Sequence, residues 1–450
     1  MRIYPSNKTT LTLLASLLVS GAFLQAETPA TVPDAQQTVS LAYRYALPVY
    51  ELARLRYQQS SNPANPHRLP LNTLQHTRQL ADHNSRAVTA PNNDTLYSNA
   101  NLDLRSGPVR IDVPEFGSRY YSIALVDAFT NNFAYIGKRS TGTHAGSYLV
   151  AGPGWKGDAP AGVQLIHAPT PDVFLLVRIL VDVPEDLEAV HKLQDAIILT
   201  GPTLNPSANA HIAPVPNDGP NFVAVVNQTL RDNLPPAQDA DLLAKISKVG
   251  IWPGDSSLSA ENKALWKFSF AQAQAELRNA KRSSRLVNGW SYSSAEIGNF
   301  GTNYDLRAAV ALSGLLALTP EEATYGGAVL DAKGEKIDGT RRYRIHVPKE
   351  LPVDAFWSIS IYEVEPDGRV FFADNPIHRY AIGDRTRGLK RNADGSIDIL
   401  VQREKPAEDQ LANWLPAPAS GHERLSLRLY QPRAEILNGS FAFPALEPLE

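Results

Sequence analysis

Four short stretches of this chain hold residues able to do chemistry. In Asn92-Asn93-Asp94-Thr95-Leu96-Tyr97, three polar side chains stand side by side ahead of Tyr97. That grouping of oxygens suits sugar hydroxyls or a hard cation. It equally suits an Asx-turn opening a strand, its side chains bonded to nearby backbone. Arg178 interrupts the apolar run 173–181, so its charge must reach water or a partner. Either it bonds an acid from another domain, or it lines a pocket and clamps an anionic or hydroxyl-rich ligand. Asp127, followed by Thr130, Asn131 and Asn132, ends another predicted strand; such polar ends line clefts and also make turns. Around Tyr362, alternation over 355–363 puts Trp357, Ile359 and Ile361 on a core face and Phe356, Ser358, Ser360 and Tyr362 on the other. The second face is a sugar-contacting platform or a packing surface. Arg379, beside Asn375 and Tyr380, is a ligand clamp or half of a buried ion pair.

The candidate ligand-binding residues are therefore Asn93, Asp94, Tyr97, Arg178, Tyr362 and Arg379. Asp94 and Asp127 are the weak candidates for a catalytic pair of carboxylates. The ten histidines show neither H-x-H nor H-E-x-x-H spacing, so no metal site and no cofactor is expected. Gly152–Gly157 lacks the spacing of a phosphate loop, and no G-x-S-x-G elbow occurs.

These residues need elements to hold them. Apolar residues at helical spacing over 36–59 predict a helix bent or broken at Pro48. Alternation from about 93 to 182 predicts strands of a β-sandwich. A helix is expected over 184–199, and residues 200–220, rich in Pro and Asn, form a linker or lid-like loop. Helical patterns cover 222–231, 239–249, 259–280 and 305–318. Thr319-Pro320-Glu321-Glu322 predicts a further short helix, and strands then close the chain in a second sandwich or jelly roll.

Length and composition bound the rest. The chain has 450 residues, 43% hydrophobic, 20% charged, with formal charge −3 and no cysteine. Disulfides, thiolate metal sites and a cysteine nucleophile are thereby excluded, and the acidic balance disfavours nucleic acid as a partner. Residues 1–26 run from a basic start (Arg2, Lys8) through an apolar stretch to Ala26, the order of a secretory signal peptide. Cleavage near Ala26 and a periplasmic or secreted address are expected, with no later membrane-spanning segment.

Several strings resemble a pair of domains of unknown function, numbered 1254 and 1214. Pro91–Ser98, Val126–Phe133 and Arg178 ahead of Val181-Asp182 resemble the first domain. Ala355-Phe356-Trp357-Ser358, Asn375-Pro376 with Arg379–Gly383, Asn392–Ser396, Asn413–Pro418 and Leu427–Tyr430 resemble the second. The resemblance implies an exported bacterial protein with an immunoglobulin-like sandwich, a helical insert and a C-terminal jelly roll, and it brings no established activity. The expected organisation is a signal peptide (1–26), an N-terminal helix and loop (27–70), a first β-sandwich (71–183), a helical domain (184–318) and a jelly-roll domain (319–450). The expected function is binding of a polar or sugar-like small ligand in a cleft between the sandwiches. Metal-independent glycoside hydrolysis and a purely structural envelope role are the alternatives.

Overall fold

A computed structural model describes residues 32–86, 89–202, 204, 211–255, 257–280, 284–366, 368–419 and 423–449. The expected signal peptide and most of the centre of the 200–220 loop lie outside them. Among the described residues no helix is long and apolar enough to cross a membrane.

The first β-region forms a two-sheet sandwich. One sheet runs in the order Gln75–His76, Thr95–Asp103, Asp172–Leu180, Tyr121–Asp127, Asn132–Gly137, with antiparallel neighbours throughout. The other runs Gln164–His167, Gly146–Ala151, Val109–Val113, Ile198–Thr200. Ile123, Leu125, Leu175 and Val177 of the first meet Val109, Ile111 and Val150 of the second in one core. The helix expected over 184–199 is shorter, Leu187–Asp195, and Ile198–Thr200 returns to the sandwich as an edge strand.

The helical layer is assembled from distant parts of the chain. The helix Val32–Arg56 runs through Pro48 instead of ending there. Helices Gly219–Asp232, Ala240–Ile246, Ala260–Asn279 and Tyr304–Ser313 complete the layer. Tyr43, Tyr45, Val49, Phe222, Val226, Trp266 and Phe270 share its core. Tertiary burial on this scale outweighs the roughly 3 kcal/mol cost of one helical proline.

The second sandwich pairs a sheet of order Arg285–Val287, Trp290–Tyr292, Ala323–Ala328, Glu423–Tyr430, Trp357–Val364, Val370–Phe371 with one of order Trp414–Pro416, Ile397–Gln402, Arg342–Val347, Leu446–Leu449. The hairpin Arg285–Tyr292 thus belongs to this sandwich, although it lies within the stretch expected to be helical. Thr319–Glu322 makes a single turn and no helix, because its next residues enter the strand Ala323–Ala328.

The two sandwiches are joined by a core of their own. The strand Tyr121–Asp127 is buried on both faces. Its outer residues Ala124 and Val126, with Tyr120, Phe174 and Leu176, pack against Ala323, Phe356 and Tyr430. Each large apolar side chain buried here is worth about 1.5–3 kcal/mol, so this contact is a continuous core.

Candidate functional site

Most of the polar residues singled out from the sequence converge on that seam, where the protein itself satisfies them. The Asp94 amide donates to Asn92 Oδ1 at 2.5 Å, the expected Asx-type contact. Asp94 Oδ2 accepts from the Ser358 hydroxyl at 2.6 Å, and Oδ1 from Arg385 Nη2 at 2.9 Å. Asn92 Nδ2 donates to the Tyr430 hydroxyl at 2.6 Å, while Asn93 donates to the Ala81 carbonyl. Tyr362 donates to the Pro91 carbonyl at 2.7 Å and accepts from Arg428 Nη2 at 2.6 Å. Asp94 is 4% exposed, Arg178 6% and Tyr362 0%. Asp94, Arg178 and Tyr362 are thus buried in the packed interface where a cleft was expected, while Asn93 and Tyr97 stay half-buried.

Among the described residues Arg178 meets no acid. Its Nη2 donates to the Leu316 carbonyl at 3.2 Å, and its guanidinium lies 5.3 Å from the Tyr97 ring centroid. Nη1 has no hydrogen-bond partner among the described residues. A ring of tyrosines, Tyr97, Tyr325, Tyr430 and Tyr120, surrounds it electrostatically. Burial pushes the Tyr430 and Tyr120 phenols well above their ordinary range. Arg379 does not join this group. Its Nη1 donates to the carbonyls of Leu411, Ala412 and Trp414 at 2.9, 3.0 and 2.7 Å, so it clamps a loop.

The carboxylate pair also fails on geometry. Asp127 lies opposite Val173 at one end of the strand Asp172–Leu180, while Thr95, next to Asp94, lies opposite Leu180 at the other. Seven residues of strand separate those ends, roughly 23 Å at about 3.3 Å per residue. Glycosidase carboxyls stand about 5–9.5 Å apart, so Asp94 and Asp127 are not such a pair.

Asp127 does line a pocket, in a different interface. The end of the helix Val32–Arg56, the helix Gly219–Asp232 and one end of the first sheet enclose about 30 Å³ available to the centres of water-sized molecules. That is room for about two waters. Apolar walls come from Leu52, Ala53, Val173 and Phe174, polar groups from Arg56, Asn101, Asp127, Asp172, His211 and Asp232.

The polar groups are held in place. Arg56 Nη2 lies 2.9 Å from Asp172 Oδ1 and 3.6 Å from Asp103 Oδ2. Arg105 contacts the same two carboxylates at 2.7 and 3.0 Å. Asn233 donates to Asp172 Oδ2 at 2.7 Å and accepts from the Asp172 amide at 3.0 Å. The Arg56 and Arg105 charges hold Asp172 well below the usual carboxylate range even though burial opposes them. Asp127 is different. Burial raises it above the ordinary aspartate value, against hydrogen bonds from Asn131 and Phe129. Burial likewise lowers His211, helped by the nearby Arg56 charge, so its ring is neutral at pH 7. Arg56 Nε and His211 Nε2 are buried and lack hydrogen-bond partners among the described residues, whereas Arg56 Nη2 is ion-paired with Asp172. The site thus offers one free guanidinium donor, Arg56 Nε, and one free ring nitrogen, His211 Nε2, beside carboxylate acceptors.

Of the pocket's polar residues, only Asp127 was found from sequence. Arg56 ends a helix and Asp172 begins a strand, ordinary places for charge. The one pointer to His211 was the Pro- and Asn-rich loop that carries it. A second, more open groove of about 320 Å³ lies between the sandwiches, lined by Lys138, Arg139, Glu321, Asp354, Gln431 and Pro432. Its charges are largely spent, Arg139 on Glu322 at 2.7 Å and Asp354 on Arg433 at 2.6 Å.

Among the described residues one group of histidines and an acid stands close together. His83, Asp374 and His378 bring one ligand atom each within 4.8 Å of one another.

Comparisons with known proteins follow the same division. Residues 71–201 match the family model described as protein of unknown function DUF1254, and residues 322–434 that of DUF1214. The crystal structure of the VPA0106 protein from Vibrio parahaemolyticus is similar, with a TM-score of 0.70 and 23% identity over 92% of this chain and 100% of that one. An uncharacterized protein from Burkholderia cenocepacia aligns with a TM-score of 0.45 and 13% identity over 93% of this chain and 94% of that one. No curated protein matches the chain.

Proposed function

This chain belongs to the paired DUF1254–DUF1214 family, and from that premise we propose that it binds a small, neutral, hydroxyl-bearing ligand in the pocket of Arg56, Asp127 and His211. The observation that carries this reading is the pair of buried nitrogens without partners, Arg56 Nε and His211 Nε2, in a pocket also lined by Asp127 and Asp172. A buried donor without a partner costs about 1–3 kcal/mol, which a ligand hydroxyl would recover. A bare anion is disfavoured, since Asp103, Asp127, Asp172 and Asp232 outnumber Arg56 and Arg105. A bare cation is disfavoured by the Arg56 guanidinium in the pocket wall. A hydroxyl both donates and accepts and satisfies both sets. The pocket takes one or two such groups, the rest of the ligand lying outside it. In this reading residues 1–26 direct export and are removed near Ala26, as the order of charge and hydropathy there supports.

The test is a calorimetric screen of monosaccharides and polyols against wild type, Ala53→Phe and Gln431→Ala. Ala53→Phe fills the pocket without removing a polar group; Gln431→Ala alters the open groove. Binding abolished by the first and retained by the second supports the reading. No binding by wild type, or binding lost only in Gln431→Ala, overturns it. N-terminal sequencing of the protein recovered from its native host tests export, and a product still starting at Met1 refutes it.

A further inference from the structure

We propose that His83, Asp374 and His378 form a binding site for a divalent transition-metal ion of the zinc class, bridging the two matched domains. His83 belongs to the stretch matched by the first domain, and Asp374 and His378 to that matched by the second. Sequence spacing could not pair them, because the fold alone brings His83 beside residues some 300 positions away, with the Tyr380 hydroxyl 2.7 Å from its Nδ1.

The donor set and its dimensions fit. Asp374 Oδ1 lies 3.7 Å from His83 Nδ1 and 3.6 Å from His378 Nδ1. Zinc bonds of about 2.0–2.1 Å in a tetrahedron put donor atoms about 3.3 Å apart. The side chains therefore need to close by well under an ångström on the Asp374 side. Both imidazoles already face the same carboxylate oxygen, their rings tilted by 22°. Two imidazoles and one carboxylate suit zinc and its neighbours better than calcium or magnesium, which favour all-oxygen sets. Three protein ligands leave a fourth position for water, which is the arrangement of an open site.

The ligands are also prepositioned. His378 sits at φ +48°, in the left-handed region, and its amide donates to the Asn375 carbonyl at 3.0 Å. Asn375 Oδ1 accepts from the Arg379 amide at 3.0 Å. Arg379 in turn grips three carbonyls of the 411–414 segment. This assigns Arg379 a purpose: it is a positioning residue that fixes the loop carrying two of the three ligands. On the other side, Asp82 accepts from the Asn84 amide at 2.9 Å and folds the turn that presents His83. Asp374 and His378 keep 68% and 72% of their side chains exposed, so an ion reaches them freely. Tyr380, displaced from His83 Nδ1 by the metal, stands ready to bond a water in the fourth position.

The test uses the untagged full chain, stripped with a chelator and titrated calorimetrically with zinc chloride. One zinc per chain is expected. His378→Ala and Asp374→Ala should each weaken binding at least tenfold, and their unfolding temperature in chelator should equal that of wild type, since both side chains are on the surface. Addition of zinc should raise the unfolding temperature of wild type and leave that of the His83→Ala/His378→Ala double variant unmoved. The proposal is overturned if wild type takes up no zinc, or if the double variant binds it with wild-type affinity through other histidines.

Discussion

Asp94 and Arg385, 291 residues apart in the chain, meet at 2.9 Å across the seam between the two sandwiches. The contact is built from both sides: Ser358 donates to the other Asp94 oxygen at 2.6 Å, and Arg385 stacks 4.3 Å from the Phe356 ring centroid. Removing one partner of a buried pair strands the other and costs about 3–5 kcal/mol. Arg385 keeps 19% of its side chain exposed, which pulls the value toward the low end. Asp94→Ala should therefore destabilise the protein by about 3 kcal/mol in urea unfolding. A double-mutant cycle with Arg385→Ala should return a coupling of about 1–3 kcal/mol. Additive effects would show that the pair does not couple the domains.

Arg178 makes the opposite case. It is a buried cation with one carbonyl partner and no acid among the described residues. Desolvation is then poorly repaid, and an apolar residue of similar shape serves as well. Arg178→Met should leave stability within about 1 kcal/mol of wild type, whereas Arg178→Ala opens a cavity and should cost about 2–5 kcal/mol. Thermal unfolding of the two variants checks this, and an equal large loss in both would mean that the charge itself is required.

A pH dependence follows from Glu423, at the start of the strand Glu423–Tyr430. Burial pushes its carboxyl up to about 7 against a partial offset from Arg403, and neither oxygen has a hydrogen-bond partner among the described residues. A raised carboxyl holds its proton in the native state while the unfolded chain has already released it. Between about pH 4.5 and 7 the native state thus binds more protons, and stability falls as pH rises through that window. Asp384, raised to about 6 by burial, acts in the same direction. Glu423→Gln should stabilise the protein at pH 8, have little effect at pH 4, and flatten the slope between. Parallel unfolding curves for wild type and variant across that range would refute the assignment.

Alternation and helical period located most strands and helices, because burying one face imposes a period on the sequence. The face Phe356, Ser358, Ser360, Tyr362 was visible as aromatic and hydroxyl-bearing, yet its two readings differed only in what stood opposite. Pro91 and Asp94 stand opposite, and Arg428 of the neighbouring strand bonds across the same face, so it is a packing face. Pro48 misled in the other direction: the local cost of proline was legible, as were the four later helices, but not that they pack against the helix carrying it.

The sequence by itself determined the two β-regions, the helical middle and the membership in a paired-domain family, since these rest on local periodicity and on strings of neighbouring residues. The tertiary structure alone decided which polar groups are spent and which remain available. Asp94 and Tyr362 are consumed in the packed seam and Arg178 is buried there with one carbonyl partner, while Arg56 and His211, and separately His83 and His378, meet their neighbours only when distant segments pack. Whether a charged or polar side chain is satisfied depends on what lies within about 3 Å of it in space, and sequence order does not carry that distance.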